Sequence, residues 1–182
     1  MVKKITKWLY LEPLLFEREW IHLSKISELV GKNHTVVRQY MGEFEKRGII
    51  IKKTVGRLSM YKLKLDYPFI YEIISLIEGE KVLFRSGDLR LKEIYSILRG
   101  IKGVIFGSYV KTSREANDID ILLFGKNKGV NEKIKEIEKK INKKIHLIEV
   151  KNLSEVNEGL RREVMKKHLI ISGGDEVIRW LI

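Results

Sequence analysis

With 182 residues, 44% of them hydrophobic, the chain is long enough for one large domain or two small ones with real apolar cores. The lack of cysteine excludes disulfides, thiolate zinc sites and thiol catalysis, and no apolar run approaches the roughly 18 residues of a membrane span. The net charge of +12 points to an anionic partner; residues 1–66 hold 14 of the 36 basic and 7 of the 24 acidic residues, so +7 lies there.

Lys, Glu and Ile are abundant and Gln39 is the only glutamine. That composition suits a thermophile and gives the charge a second origin. The start, Met1 to Trp8, is basic but lacks the apolar core and cleavage site of a signal peptide, so a cytoplasmic protein without membrane association is expected.

In chain order, Ile5, Trp8, Leu9, Leu11 and Leu14 predict a helix over 3–17, with Pro13 near its end. Residues 20–23 predict a short strand. Ser24 is the expected N-cap of a helix over 25–30 that Gly31 ends. Asn33 caps the next helix, His34 to Arg47, whose apolar face is Val36, Val37, Tyr40, Met41 and Phe44. Gly48 stops it, and two strands, 49–55 and 59–65, follow around Gly56-Arg57.

This order is that of a winged helix-turn-helix. The stretches Leu29 to Arg38, Phe44 to Ile50, Val55-Gly56-Arg57 and Tyr61-Lys62-Leu63 resemble archaeal winged-helix regulators over about residues 5–66. In such a module the second helix of the helix-turn-helix enters the major groove of double-stranded DNA. Asn33, His34, Thr35, Arg38 and Gln39 would face the bases, while Lys52, Lys53 and Arg57 would meet phosphates. A solvated helix and hairpin used for dimerisation is the other reading of the same residues. His22 and His34 have no metal-ligand spacing and read as ordinary surface or strand residues.

Asp66-Tyr67-Pro68 marks a boundary. The expected division is a winged-helix domain over 1–66, a helical connector over 67–88 and a second domain over 89–182. The connector holds an amphipathic helix, 69–78, that Gly79 punctuates. Another helix, 89–99, leads into a strand over 102–107.

That strand ends in Gly107-Ser108, and Asp118-Ile119-Asp120 opens the next one. Aspartates at i and i+2 of a strand share a face, which is how a protein holds two like charges close enough to bind divalent ions. A glycine corner lets backbone approach a phosphate closely. Together these residues resemble the DNA polymerase β-type nucleotidyltransferase superfamily, and its minimal branch, common in archaea and bacteria, most of all. One departure is that Thr112 stands after Lys111 where family members often carry glycine.

The resemblance implies an α+β chain: a winged helix, then a nucleotidyltransferase α/β domain with a mixed sheet. It implies transfer of a nucleoside monophosphate from an NTP, ATP above all, onto an acceptor hydroxyl by a two-metal mechanism. Gly107, Ser108, Lys111 and Arg114 would bind the triphosphate. Asp118, Asp120 and a third acid would hold Mg²⁺ or Mn²⁺, oxygen ligands with no Cys or His favouring these ions. A helix over 131–142 precedes a strand over 144–150, in which Ile145, Leu147 and Glu149 face one way and His146, Ile148 and Val150 the other. Glu149 is its only acid and is the expected third ligand. The tail, a helix over 154–167, strand 168–172 and a terminal helix, also looks like archaeal members of the group.

Two readings stay open. One is a transferase whose acceptor is a partner protein or a small molecule, as in antitoxins that adenylylate a toxin. The other is a DNA-binding regulator, able to act as a homodimer, whose second domain is inactive, senses nucleotide or dimerises.

Overall fold

The computed structural model describes residues 6–16, 19–111 and 116–182. The chain divides into two compact units, 1–81 and 82–182.

The first unit opens with a 3-10 turn, Lys7–Leu11, running directly into α1, Glu12–Phe16. Pro13 sits in the first turn of α1, where its missing N–H costs nothing, so it admits the helix rather than ending it. β1 is Ile21–His22 and α2 is Leu23–Val30. The cap of α2 is His22, not Ser24: its Nδ1 accepts from the Lys25 N–H at 3.1 Å, which lets the helix start two residues earlier. Gly31 ends α2 at φ +66.

α3, His34–Lys46, is capped by Asn33, whose side chain accepts from Thr35 N–H at 2.8 Å. Val37, Met41 and Phe44 are fully buried at i, i+4 and i+7. Val36, expected on that face, is exposed, because it lies a residue's turn of about 100° from the buried line. β2, Ile50–Val55, and β3, Leu58–Leu63, form a hairpin around Gly56, whose φ of +59 suits a two-residue turn. The sheet order is β1-β3-β2, antiparallel throughout. Its core is Leu11, Ile26, Val37, Met41, Phe44, Ile49, Ile50 and Tyr61, and Trp8 stacks on Phe44. α4, Ile70–Phe84, crosses the end of the first unit at Lys81 and runs through Gly79, which lowers helix propensity without breaking a helix that buries Ile70, Ile73, Ile74 and Ile77 together with the Glu78–Lys81 ion pair.

The second unit is a four-stranded mixed sheet with helices on both faces. α5 is Leu89–Ile97, β4 Gly103–Phe106, α6 Ser108–Lys111 and β5 Asp118–Phe124. α7, Val130–Ile141, then leads to β6, Lys144–Val150; α8, Glu158–Lys166, precedes β7, His168–Ser172, and α9 is Gly174–Leu181. The order is β6-β5-β4-β7, with β5 and β6 parallel and the other pairs antiparallel. Alternation along the strands makes two cores. Ile105, Ile119, Ile121, Leu123 and Ile145 pack under α5, α6 and α7. Val104, Phe106, Leu122 and Phe124 pack with Val164 of α8 and with Val177 and Leu181 of α9.

Gly103 is where β4 and β5 come closest. A Cβ there would lie 2.4 Å from Leu123 Cδ2 and 2.6 Å from the Leu122 carbonyl oxygen. Gly103→Ala should therefore destabilise the second unit by about 1–3 kcal/mol, the usual cost of overpacking. Gly174→Ala, where a Cβ meets nothing within 4 Å, should leave thermal melting almost unchanged. Equal melting temperatures for the two variants would contradict this packing.

Candidate active site

β4 pairs antiparallel with β5, setting Phe106 opposite Asp120. The residue after Phe106 is Gly107, so the glycine corner is carried to the aspartate pair by strand register alone. An ideal Cβ on Gly107 would lie 2.2 Å from Asp120 Oδ2, and its φ is +76. Only glycine satisfies both the contact and the left-handed backbone. The empty place beside Gly107 is thus a cradle for the Asp120 carboxylate.

Asp118 and Asp120 are half-buried on the face of β5 that carries Leu122 and Phe124. Burial raises the Asp120 pKa above the ordinary carboxylate value, and the Asp118 charge raises it further. His146 opposes the shift, and Glu163 on α8 adds to it.

Behind the corner, Tyr109 of α6 is buried and its hydroxyl donates to Asp88 Oδ2 at 3.0 Å. The same Asp88 caps α5 through the Arg90 and Leu91 N–H groups. Burial, then the Asp88 carboxylate, raises the Tyr109 pKa, so its proton stays in this bond. Tyr109 therefore fixes the helical turn that presents Ser108, which is exposed. Lys143 donates to the Ala116 carbonyl just before β5 and holds the other end of the connection.

The sequence-predicted ligands do not all meet. Gly107, Ser108, Asp118 and Asp120 come together. Lys111 ends α6, but its side chain, like the whole of Arg114, lies outside the described residues. Glu149 does not join the aspartates. It pairs in register with Leu123, on the face opposite Asp118 and Asp120, and is exposed. In its place the parallel register sets His146 beside Asp120. His146 Nδ1 stands 3.5 Å from Asp118 Oδ2 and 3.4 Å from Asp120 Oδ1. The register thus brings an imidazole, and not a third carboxylate from β6, beside the aspartate pair. Sequence reasoning passed over His146, although its alternation in β6 already set it opposite to Glu149.

Among the described residues no group of three or more His, Asp or Glu side chains is already placed to hold a metal ion. The residues nonetheless fit a divalent ion, because two carboxylates and an imidazole converge at a glycine cradle.

In the first unit, His34, Thr35, Arg38 and Gln39 are all exposed on α3, away from its buried line. Asn33 is exposed too, although its side-chain oxygen is engaged in the helix cap. Lys52, Lys53 and Arg57 are exposed on the hairpin, and the Lys53 ammonium sits 4.3 Å from the centre of the Trp20 ring.

Residues 91–176 match the family model described as Polymerase beta, Nucleotidyltransferase. The match runs from α5 into α9, takes in the glycine corner and the aspartate pair, and lies wholly in the second unit. It supports a polymerase β-type domain there and suggests nucleotidyl transfer. No curated protein and no solved structure matches the chain.

The raised Asp120 pKa has a consequence for stability. The folded state holds this proton more tightly than the unfolded chain, so stability present at low pH is lost as pH rises through the folded pKa. Asp120→Asn should therefore raise the melting temperature of metal-free protein at neutral pH, and the gain should fade toward about pH 4. Thermal melts in chelator across that range check it; a gain independent of pH would contradict the electrostatic origin.

Proposed function

We propose that the second unit is a nucleotidyltransferase that moves a nucleoside monophosphate, AMP from ATP in the first instance, to an acceptor hydroxyl. The observation that carries this is the contact of Gly107 with Asp120 on the strand face that also bears Asp118. It lies inside the segment matched by the family model. The acceptor hydroxyl gives its proton to water, its oxygen bonds to the α-phosphorus, the bond from that phosphorus to the β-phosphate oxygen breaks, and pyrophosphate leaves.

Each residue then has a task. Asp118 and Asp120 would hold divalent ions, Mg²⁺ or Mn²⁺. Bound there, such ions neutralise the leaving pyrophosphate and lower the pKa of the acceptor. Gly107 brings its backbone, and Ser108 its exposed hydroxyl, to the β- and γ-phosphates. Lys111, the last residue of α6, and Arg114 would add positive charge for the triphosphate. Calorimetric titration of ATP is the test. Binding should require the divalent ion and disappear in Asp118→Ala/Asp120→Ala. ATP binding unaffected by that double substitution would refute the site, and absence of binding with every NTP would favour an inactive domain.

A second reading concerns the first unit and is compatible with the first. Its element order and its β1-β3-β2 sheet support a winged helix, and α3 turns four exposed polar residues outward. We infer that α3 enters the major groove of double-stranded DNA, with Arg38 and Gln39 at base edges and Lys52 and Arg57 at phosphates. Replacing Arg38, Lys52 and Arg57 together by alanine should weaken duplex binding and lower its salt slope by about two, one for each lost phosphate contact. Fluorescence anisotropy across a salt series measures both. An unchanged affinity and slope would rule out this docking.

A further inference from the structure

We propose that His146 supplies the third protein ligand of the divalent-ion site, and that the site therefore prefers a first-row transition ion such as Mn²⁺ to Mg²⁺. The inference rests on the transferase reading of Asp118 and Asp120 and deepens it.

Register is the first support. β6 runs parallel to β5 with Asp118 opposite Lys144 and Asp120 opposite His146. Paired residues of neighbouring strands project to the same face. The only side chain that β6 can deliver to the aspartates with a donor atom for a cation is thus His146; Lys144 is itself cationic. Glu149 is placed on the other face.

Distance is the second. His146 Nδ1 lies about equally far from one oxygen of each aspartate, at 3.5 and 3.4 Å. Adjacent ligands of an octahedral ion with bonds of about 2.1 Å stand about 3 Å apart. The imidazole nitrogen thus lies a few tenths of an ångström from the spacing to each carboxylate that a shared ion imposes. His146 is 64% exposed, so no packing holds the imidazole against the small rotation needed. Glu163 reaches Asp120 only through its charge and touches neither aspartate within ion-pair or hydrogen-bond distance among the described contacts.

Ligand chemistry turns this placement into a selectivity. Mg²⁺ is a hard ion that prefers oxygen and gives up its water reluctantly, whereas imidazole suits first-row transition ions. Two carboxylates and one nitrogen favour Mn²⁺ over Mg²⁺ in a way that three carboxylates do not. Water and nucleotide phosphate oxygens would fill the remaining positions.

The test uses the full chain and Mn²⁺, read by electron paramagnetic resonance, with Mg²⁺ as competitor. Wild-type protein should bind Mn²⁺ and show electron spin-echo modulation from a directly bound ¹⁴N. His146→Asp and His146→Ala should both lose that modulation. His146→Asp should also shift the Mn²⁺-to-Mg²⁺ affinity ratio toward Mg²⁺, because an oxygen ligand replaces the nitrogen. Because His146 is exposed, both variants should retain the wild-type circular dichroism spectrum. Mn²⁺ bound through Asp118 and Asp120 without ¹⁴N modulation, or with modulation that survives in His146→Ala, would overturn the proposal while sparing the transferase reading. The imidazole would then be only a counter-ion to the carboxylates. Mn²⁺ binding that is absent, or indifferent to Asp118→Ala/Asp120→Ala, would overturn both.

Discussion

The second unit depends on the pairing of β5 on both its edges. β5 lies inside the sheet, hydrogen-bonded antiparallel to β4 and parallel to β6. A strand fixed on two sides has no freedom to slip, and a slip of one residue would exchange its faces. Ile119, Ile121 and Leu123 are fully buried on one face, and Leu122 and Phe124 are buried on the other. Both cores therefore lock the register. The site is a by-product of that lock: Asp118 and Asp120 occupy the end of the face on which Leu122 and Phe124 are packed. Gly107 arrives from β4 and His146 from β6 through the same hydrogen-bond ladders.

The arrangement sets stability against chemistry. Two carboxylates sharing a partly buried place repel each other, and Asp120 shows it in its raised pKa. Native structure tolerates this because the surroundings are fixed by stronger terms. Tyr109 ties α6 to Asp88 at the start of α5, and Lys143 ties the Ala116 carbonyl to the region before β6. Strain and unmet charge of this kind collect where a ligand will later supply what is missing.

The first unit solves the opposite problem. α3 has a narrow buried line, Val37, Met41 and Phe44, and offers a polar face to solvent. Nothing in its packing requires Arg38 or Gln39. The hairpin likewise buries Tyr61 and Leu63 while Lys52 and Arg57 remain exposed. Side chains that contribute little to folding are free to serve recognition, and Arg38, Lys52, Lys53 and Arg57 add positive charge at such positions.

Much of this was legible in the chain itself. Apolar period separated helices from strands, and Gly31, Gly48 and Gly56 marked turns because their backbone conformations exclude most other residues. The aspartate pair and the Gly107-Ser108 corner were visible as a local pattern, because i and i+2 on a strand share a face whatever the fold. Local pattern misjudged the ends of elements: a histidine side chain, not a serine, caps α2, and α4 runs through Gly79 because its apolar contacts outweigh one residue's propensity. Which side chain of β6 stands beside the aspartates was beyond it altogether. Sequence alternation divided β6 into a His146 face and a Glu149 face, yet could not say which one meets the aspartates. That depends on which residue of β6 pairs with Asp120, a non-local hydrogen-bond register set by the buried faces of both strands. Tertiary structure set the histidine, and not Glu149, beside the aspartates.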